Sequence, residues 1–278
     1  MRFGGRVFIL AVMDAGKDRR TAPPQAPGQA ASSAIPDEVA RFAALAGQWW
    51  DEDGPFRPLH RINPARLTFI RDRLCDHFGG DPHTTASLRG LDILDIGCGG
   101  GLLCEPLARL GARVSGIDAA AESVAAATEH SARSGLSIEY RAATPETLAE
   151  SGRVFDAVIS MEVIEHVEDV DAFLAASGSL VRPGGVLLLS TLNRTLKSLA
   201  QAKIGAEYLL GWVPPGTHDW RRFVRPSELA RGLRCAGLSL TVLRGLSYAP
   251  AEGDWRLTDD VSVNYLAMAV KAGVVAAS

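Results

Sequence analysis

The stretch LDILDIGCGGGLLCEPLARLGARVSGID, residues 91–118, decides the fold. Residues 91–96 form an apolar run of strand length, and Gly97, Gly99, Gly100 and Gly101 turn the chain. Residues 102–110 read as a helix, and residues 114–117 as a second strand ending in Asp118. Strand, glycine turn, helix and strand make a βαβ unit of an α/β fold, with its ligand site at the carboxyl ends of the strands. Glycine has no Cβ to keep a ligand from the backbone, and the helix that follows presents unpaired N–H groups. An acid about twenty residues later, at the tip of the neighbouring strand, can accept from both hydroxyls of a ribose. The unit therefore reads as the site of a ribose-bearing cofactor.

Two cofactor classes compete for it. A dinucleotide fingerprint, G-x-G-x-x-G/A, needs a small third residue beneath the pyrophosphate, and the register from Gly97 and Gly99 puts Leu102 there. The run DIGCGGG instead resembles motif I of the class I S-adenosylmethionine methyltransferases. The resemblance implies a Rossmann-like seven-stranded α/β sheet, mostly parallel with the last strand antiparallel and helices on both faces. It also implies that Asp95 lies near the methionine amino group, that Gly97 and Gly99 line the cofactor floor, and that Asp118 holds the ribose.

The chain has 278 residues and a net charge of −3, so it can bury a full core and has no global basic footprint for nucleic acid. Cys75, Cys98, Cys104 and Cys235 form no C-x-x-C pair, which suggests neither a zinc site nor a disulfide framework and fits a reducing, cytoplasmic compartment. No apolar run reaches the length of a membrane span. Residues 1–36 read as a disordered or mis-started tail: Met13 precedes the polar DAGKDRR, and residues 14–35 are rich in Ala, Pro, Gln and Ser. Arg2 and Arg6 without any acid leave a mitochondrial presequence as the lesser alternative. Residues 37–274 are expected to form one methyltransferase domain, opening with a helix whose Val39, Phe42, Ala43 and Ala46 share a face.

Residues 48–70, QWWDEDGPFRPLHRINPARLTFI, combine paired tryptophans, a Pro/Gly loop and a basic HRINPAR, expected to lead into a helix over 64–78. This stretch closely resembles the ubiquinone-biosynthesis O-methyltransferases, which methylate hydroxyls of polyprenylated phenols and catechols. In that family the arginine of N-P-x-R contacts the cofactor, which maps to Arg66, where a guanidinium can pair with the methionine carboxylate. Trp49 and Trp50 either cap the pocket or staple the N-terminal helix to the core.

Further on, residues 121–133 read as a helix and 138–141 as a strand followed by AATPE, with no acid for the adenine amino group. Backbone groups near Ala142 and Ala143 are the expected substitute. The strand 154–160 runs into MEVIEHVED, and the resemblance gives Met161 a cofactor contact. If the chain turns helical here, Glu162, Glu165 and His166 fall at i, i+3 and i+4 on one face. Two carboxylates and an imidazole suit magnesium, which family members are described as using. His166 as a metal-free general base and a plain capped turn are the alternatives, with His166 and Glu165 the catalytic candidates.

Residues 170–181 read as a helix, VRPGG as the turn launching a strand at 186–191, and residues 225–233 as a helix with Ser227 as N-cap. Between them, 193–223 is an insertion of helically spaced apolar residues. Over residues 195–225 five cations face two carboxylates, a pattern suited to an interfacial helix on an anionic bilayer. His218, in PPGTHD, is a candidate to reach the pocket. The last strand is expected within 260–272. The resemblance thus implies a peripheral inner-membrane enzyme with a polyprenylated phenol or catechol as substrate and other ubiquinone-biosynthesis proteins as potential partners. A nicotinamide dehydrogenase and a non-catalytic assembly protein of the quinone pathway are the competing readings.

Overall fold

The computed structural model describes residues 32–200, 219–249 and 254–273. Its centre is an eight-stranded sheet. In chain order the strands are β1 (Asp92–Ile96), β2 (Arg113–Asp118), β3 (Glu139–Ala142), β4 (Phe155–Met161), β5 (Val181–Leu192), β6 (Leu238–Ala249), β7 (Asp254–Thr258) and β8 (Asn264–Lys271). They lie side by side as β3-β2-β1-β4-β5-β8-β6-β7. β1 to β5 pair in parallel, and β8 runs antiparallel to both β5 and β6. The antiparallel last strand agrees with the sequence, and β7 adds an edge strand that the seven-strand pattern lacks.

Side chains alternate across the sheet, as strand geometry requires. Leu94, Ile96, Val158, Leu187 and Leu189 face a core closed by α6 (Val170–Ser179) and α8 (Pro226–Cys235). Ile93, Ala157, Ile159 and Leu188 face the opposite core, built with α2 (Arg57–Phe78) and α3 (Cys104–Arg109). Asp95 is in register with Ile93, so the period of two sends this acid toward α2 and α3, where it is only 2% exposed. α4 (Ala121–Arg133) follows β2 as the sequence predicts, and α5 (Pro145–Ala149) follows β3.

Three local expectations are corrected. α2 begins seven residues before the predicted start and carries Pro64 inside it. Burial of Ile62, Arg66, Phe69, Ile70 and Leu74 along one face outweighs the hydrogen bond that proline removes. Arg66 is accordingly mid-helix and buried rather than on a first turn. The RPGG segment lies within β5 instead of before it. α8 is capped by Arg225, whose N–H donates to Glu228 Oε2 at 3.0 Å, with Pro226 and not Ser227 opening the helix. Upstream, α1 (Pro36–Ala44) forms where predicted. Ala34 before it pairs antiparallel with Val167, which seats the N-terminal segment beside the end of β4. No helix among the described residues is long and apolar enough to cross a membrane.

Candidate active site

The strand order reverses direction of growth between β1 and β4, the place where open α/β sheets bind ligands. A cavity of about 920 Å³ opens there. Arg66, Asp95, Gly97, Asp118, Met161, Glu162, Glu165 and His166 all line it. Sequence reasoning therefore placed its candidates together, and Gly99 sits beside them in the turn that forms the floor.

The turn is held by β2. Gly97 and Cys98 donate to the Ile117 carbonyl at 2.8 and 3.0 Å, and Gly99 N–H donates to Asp118 Oδ2 at 2.9 Å. Asp118 Oδ1 accepts from Ala120 N–H at 2.8 Å. Burial pushes the Asp118 carboxyl above its usual range even though these two donors oppose the shift. Glycine is required at two points here. Gly97 has φ +73°, and an added Cβ would meet Val163 Cγ2 at 2.4 Å. Gly99 has φ +52°, and its Cβ would meet the Trp49 ring at 2.4 Å.

Trp49 and Trp50 do both jobs left open by the sequence. Trp49 lines the cavity, stacks on Phe56 with centroids 3.7 Å apart and donates to Ser123 Oγ at 3.1 Å. Trp50 stacks on His130 at 3.5 Å and donates to the Gly100 carbonyl at 2.9 Å, tying the N-terminal segment to the glycine turn.

On the other wall, Asp95 is so deeply buried that desolvation pushes its pKa up to about 7, against a hydrogen bond from Cys104 Sγ. Arg66 pairs with Glu162 Oε1 at 3.1 Å, while its Nε is buried with no hydrogen-bond partner. Asn63, one turn earlier on α2, donates to the Leu102 carbonyl at 2.8 Å and has a buried, unpartnered Oδ1. An unpartnered guanidinium N–H, a buried acid and a floor without Cβ atoms fit the carboxylate, ammonium and ribose of S-adenosylmethionine. Ala143, Thr144 and Pro145 also line the cavity. The Ala143 N–H donates to the Asp118 carbonyl at 3.0 Å, so of the backbone groups expected there that one is already engaged with β2.

Glu162, Glu165 and His166 share the cavity but not one helix face, which corrects the expected i, i+3, i+4 arrangement. Glu162 has φ 56° in the left-handed region, so the chain turns before a short 3₁₀ turn over Ile164–His166. Their side chains then meet different partners. Glu162 accepts from Ser190 Oγ at 2.7 Å, Glu165 from Thr191 Oγ1 at 2.8 Å, and His166 Nδ1 faces Glu38 Oε2 at 3.2 Å. Among the described residues no group of three His, Cys, Asp or Glu side chains is poised to hold a metal ion. The three therefore do not fit a magnesium ion as they stand. Burial pushes Glu165 up to about 7, and the nearby Glu162 carboxylate adds to this. For His166, burial opposes the charged form, but the Glu38 and Glu165 carboxylates outweigh it and raise its pKa above the usual imidazole value.

Glu38, Ser190, Thr191, Asn63 and Cys104 are the site residues that sequence reasoning missed. Only Asn63 carried a signal, as the helical neighbour of Arg66 in HRINPAR. His218 and most of the 193–223 insertion lie outside the described residues.

Replacing Gly99 by alanine is expected to cost about 1–3 kcal/mol in urea unfolding, from the left-handed backbone and the Trp49 contact together. Trp49→Leu in the same chain should recover part of that loss, and strictly additive losses would contradict the contact.

Comparisons with known proteins bear on the family and the fold. A family model described as "Methyltransferase domain" matches residues 41–243. The ubiquinone biosynthesis O-methyltransferase of Parvibaculum lavamentivorans is 51% identical over 243 residues, covering 87% of this chain and 96% of that relative. Its namesake in Methylobacterium nodulans is 50% identical over 230 residues, covering 83% and 92%. Among solved structures, magnesium protoporphyrin IX methyltransferase from Synechocystis with bound S-adenosylhomocysteine superposes with TM-score 0.56 at 21% identity, covering 84% of this chain and 94% of that one. A Clostridium acetobutylicum S-adenosylmethionine-dependent methyltransferase does so with TM-score 0.56 at 13% identity, covering 84% and 99%. These two likenesses concern the fold alone. The resemblance of DIGCGGG and HRINPAR thus extends along most of the chain, and the protein belongs to the ubiquinone biosynthesis O-methyltransferase family, whose members depend on S-adenosylmethionine.

Proposed function

We propose that the protein methylates a phenolic oxygen of a polyprenylated ring in ubiquinone biosynthesis, using S-adenosylmethionine. The observation that carries this reading is the cavity that joins the Asp95, Asp118 and Arg66 cradle to the Glu165 and His166 wall. When bound, S-adenosylmethionine supplies an already activated methyl group, so the protein must align the acceptor and make its oxygen anionic. Arg66 and Asp95 take opposite charges of the methionine moiety, Asp118 the ribose, and Met161 packs beside the methyl-bearing end.

A phenol titrates near 10, so ionising it at pH 7 costs about 4 kcal/mol. His166 is the group in the cavity suited to take that proton. Its Nδ1 faces the Glu38 carboxylate, which holds the ring in place, and Glu165 adds negative charge that favours the imidazolium. The apolar part of the cavity, with Leu59, Ile62, Leu246, Tyr248 and Trp255, suits a prenylated ring rather than a polar one.

The prenylated acceptor resides in a bilayer, and we infer that residues 37–274 act as one domain whose 193–223 insertion meets anionic lipid, on the cytoplasmic face of the inner membrane. The support is the pattern of apolar and cationic residues in that stretch, including Leu196, which is 79% exposed at its described end.

His166→Gln is expected to lower kcat for a short-chain prenyl catechol by about 10²- to 10⁴-fold. The Kd for S-adenosylmethionine should change little. Unaltered kcat would remove His166 from the reaction. In liposome flotation the chain should rise with vesicles containing anionic lipid, and deletion of residues 196–222 should abolish this. Flotation undiminished by the deletion would place the membrane contact elsewhere.

A further inference from the structure

Beneath the glycine turn lies a buried cluster that the proposed reaction does not use. Cys104, the first residue of α3, is fully buried and donates from Sγ to Asp95 Oδ2 at 3.3 Å. Cys98, in the turn itself, is 6% exposed and directs its Sγ to the Gly99 carbonyl at 3.8 Å. The Tyr140 ring of β3 closes the cluster, its hydroxyl 2.4 Å from where a Cβ on Gly101 would stand. The groups facing Asp95 are therefore the Cys104 and Cys98 thiols, the Tyr140 hydroxyl on β3, the Asp118 carboxylate on β2 and the Arg66 guanidinium on α2.

A thiol is a weak donor. A carboxylate whose close neutral donor is a thiol remains poorly compensated after burial, and it is stabilised further by any cation that reaches its other side. The cavity opens on that side, since Asp95 lines it.

We infer that Cys104 is a positioning residue for cofactor capture: through its hydrogen bond to Asp95 it couples binding of the cofactor's α-ammonium group to the protonation state of that acid. The inference rests on the placement of Asp95 beside the methionine ammonium given above. The carboxylate form binds the cation. Where Asp95 is protonated in the empty site, its proton passes to solvent as the ammonium arrives. Binding then weakens as pH falls below the Asp95 pKa and is insensitive to this group above it. Burial, opposed by the Cys104 bond and by Arg66, sets that pKa at about 7, so the coupling falls within the working range of a cell. A hydroxyl at position 104 donates more strongly and should shift the dependence to lower pH. A methyl group removes the donor and should shift it upward.

The test is calorimetric titration with S-adenosylhomocysteine, which carries the ammonium without the sulfonium, from about pH 5.5 to 8, for wild type, Cys104→Ser, Cys104→Ala and Asp95→Asn. The ligand's own α-amino group, beside its carboxylate, titrates above a chain terminus and stays an ammonium across this range, so the acid limb is the protein's. Wild type is expected to lose up to about tenfold in affinity for each pH unit below the Asp95 pKa and to release protons on binding. At about pH 6, Cys104→Ala should bind about tenfold more weakly than Cys104→Ser. Superimposed profiles for wild type and both Cys104 variants, with the acid limb present, would overturn the role of Cys104. Tight, pH-independent binding by Asp95→Asn, with no acid limb in wild type, would instead overturn the placement of Asp95. Should Cys104→Ala melt too low to titrate, the one-atom change Cys104→Ser carries the comparison: an acid limb at the wild-type position counts against the proposal, and a lower one supports it.

Discussion

Two carboxylates buried at the carboxyl ends of adjacent parallel strands impose the shape of this site. Asp95 is almost fully buried and Asp118 largely so, each with one side on the cavity, and a buried charge is costly unless it is met by donors or cations. Asp118 meets part of that demand with the N–H groups of Gly99 and Ala120, which is also what draws the glycine turn over β2. Asp95 is met by a thiol and, at longer range, by Arg66. The cofactor placement proposed above brings the complement: hydroxyls to Asp118 and an ammonium to Asp95.

The remaining elements follow from keeping that demand open yet sheltered. Arg66 reaches the site because α2 continues through Pro64, and Glu162 holds the guanidinium from the end of β4 at the expense of a left-handed backbone. Non-glycine residues in that conformation persist where surrounding contacts over-determine them, and the Ser190 hydroxyl and carbonyl supply such contacts to Glu162. Trp49 then lies across Gly99 and Gly100, so the same absence of Cβ atoms that admits a ligand also admits the indole. The N-terminal segment reaches the opposite wall through Glu38 and Phe42, whose ring meets His166 edge-on at 5.7 Å. Glu38 lies just ahead of the stretch matched by the methyltransferase family model, and Phe42 lies just inside it.

Much of this was legible in the chain. Residues 91–118 were legible because a short apolar run, a glycine cluster and a terminal acid follow one another at the spacing of a βαβ unit, and 121–133 coincide with α4. HRINPAR marked Arg66 through family resemblance, although its proline argued for a helix boundary that burial overrode. The failures have a common cause in tertiary contacts. The i, i+3, i+4 spacing of Glu162, Glu165 and His166 presumed a helix, and the left-handed turn at Glu162 needed β5 alongside to be foreseen. β7 is short, with only Trp255 and Thr258 partly covered on its way along the edge, too weak a pattern to read without its partner β6. Glu38 and Cys104 are polar residues in unremarkable helical sequence, and only the packing of α1 and α3 gives them partners.

The central claim is that the glycine turn and its two acids form the cofactor cradle, with the acceptor oxygen delivered to the His166 wall. A crystal structure of the complex with S-adenosylhomocysteine tests it most directly. Both ribose hydroxyls are expected within hydrogen-bond distance of the Asp118 carboxylate, the amino group on the cavity side of Asp95, the carboxylate on Arg66, and the sulfur turned toward Met161 and His166. A cofactor lying outside the turn, or one whose ribose is beyond reach of Asp118, would contradict it.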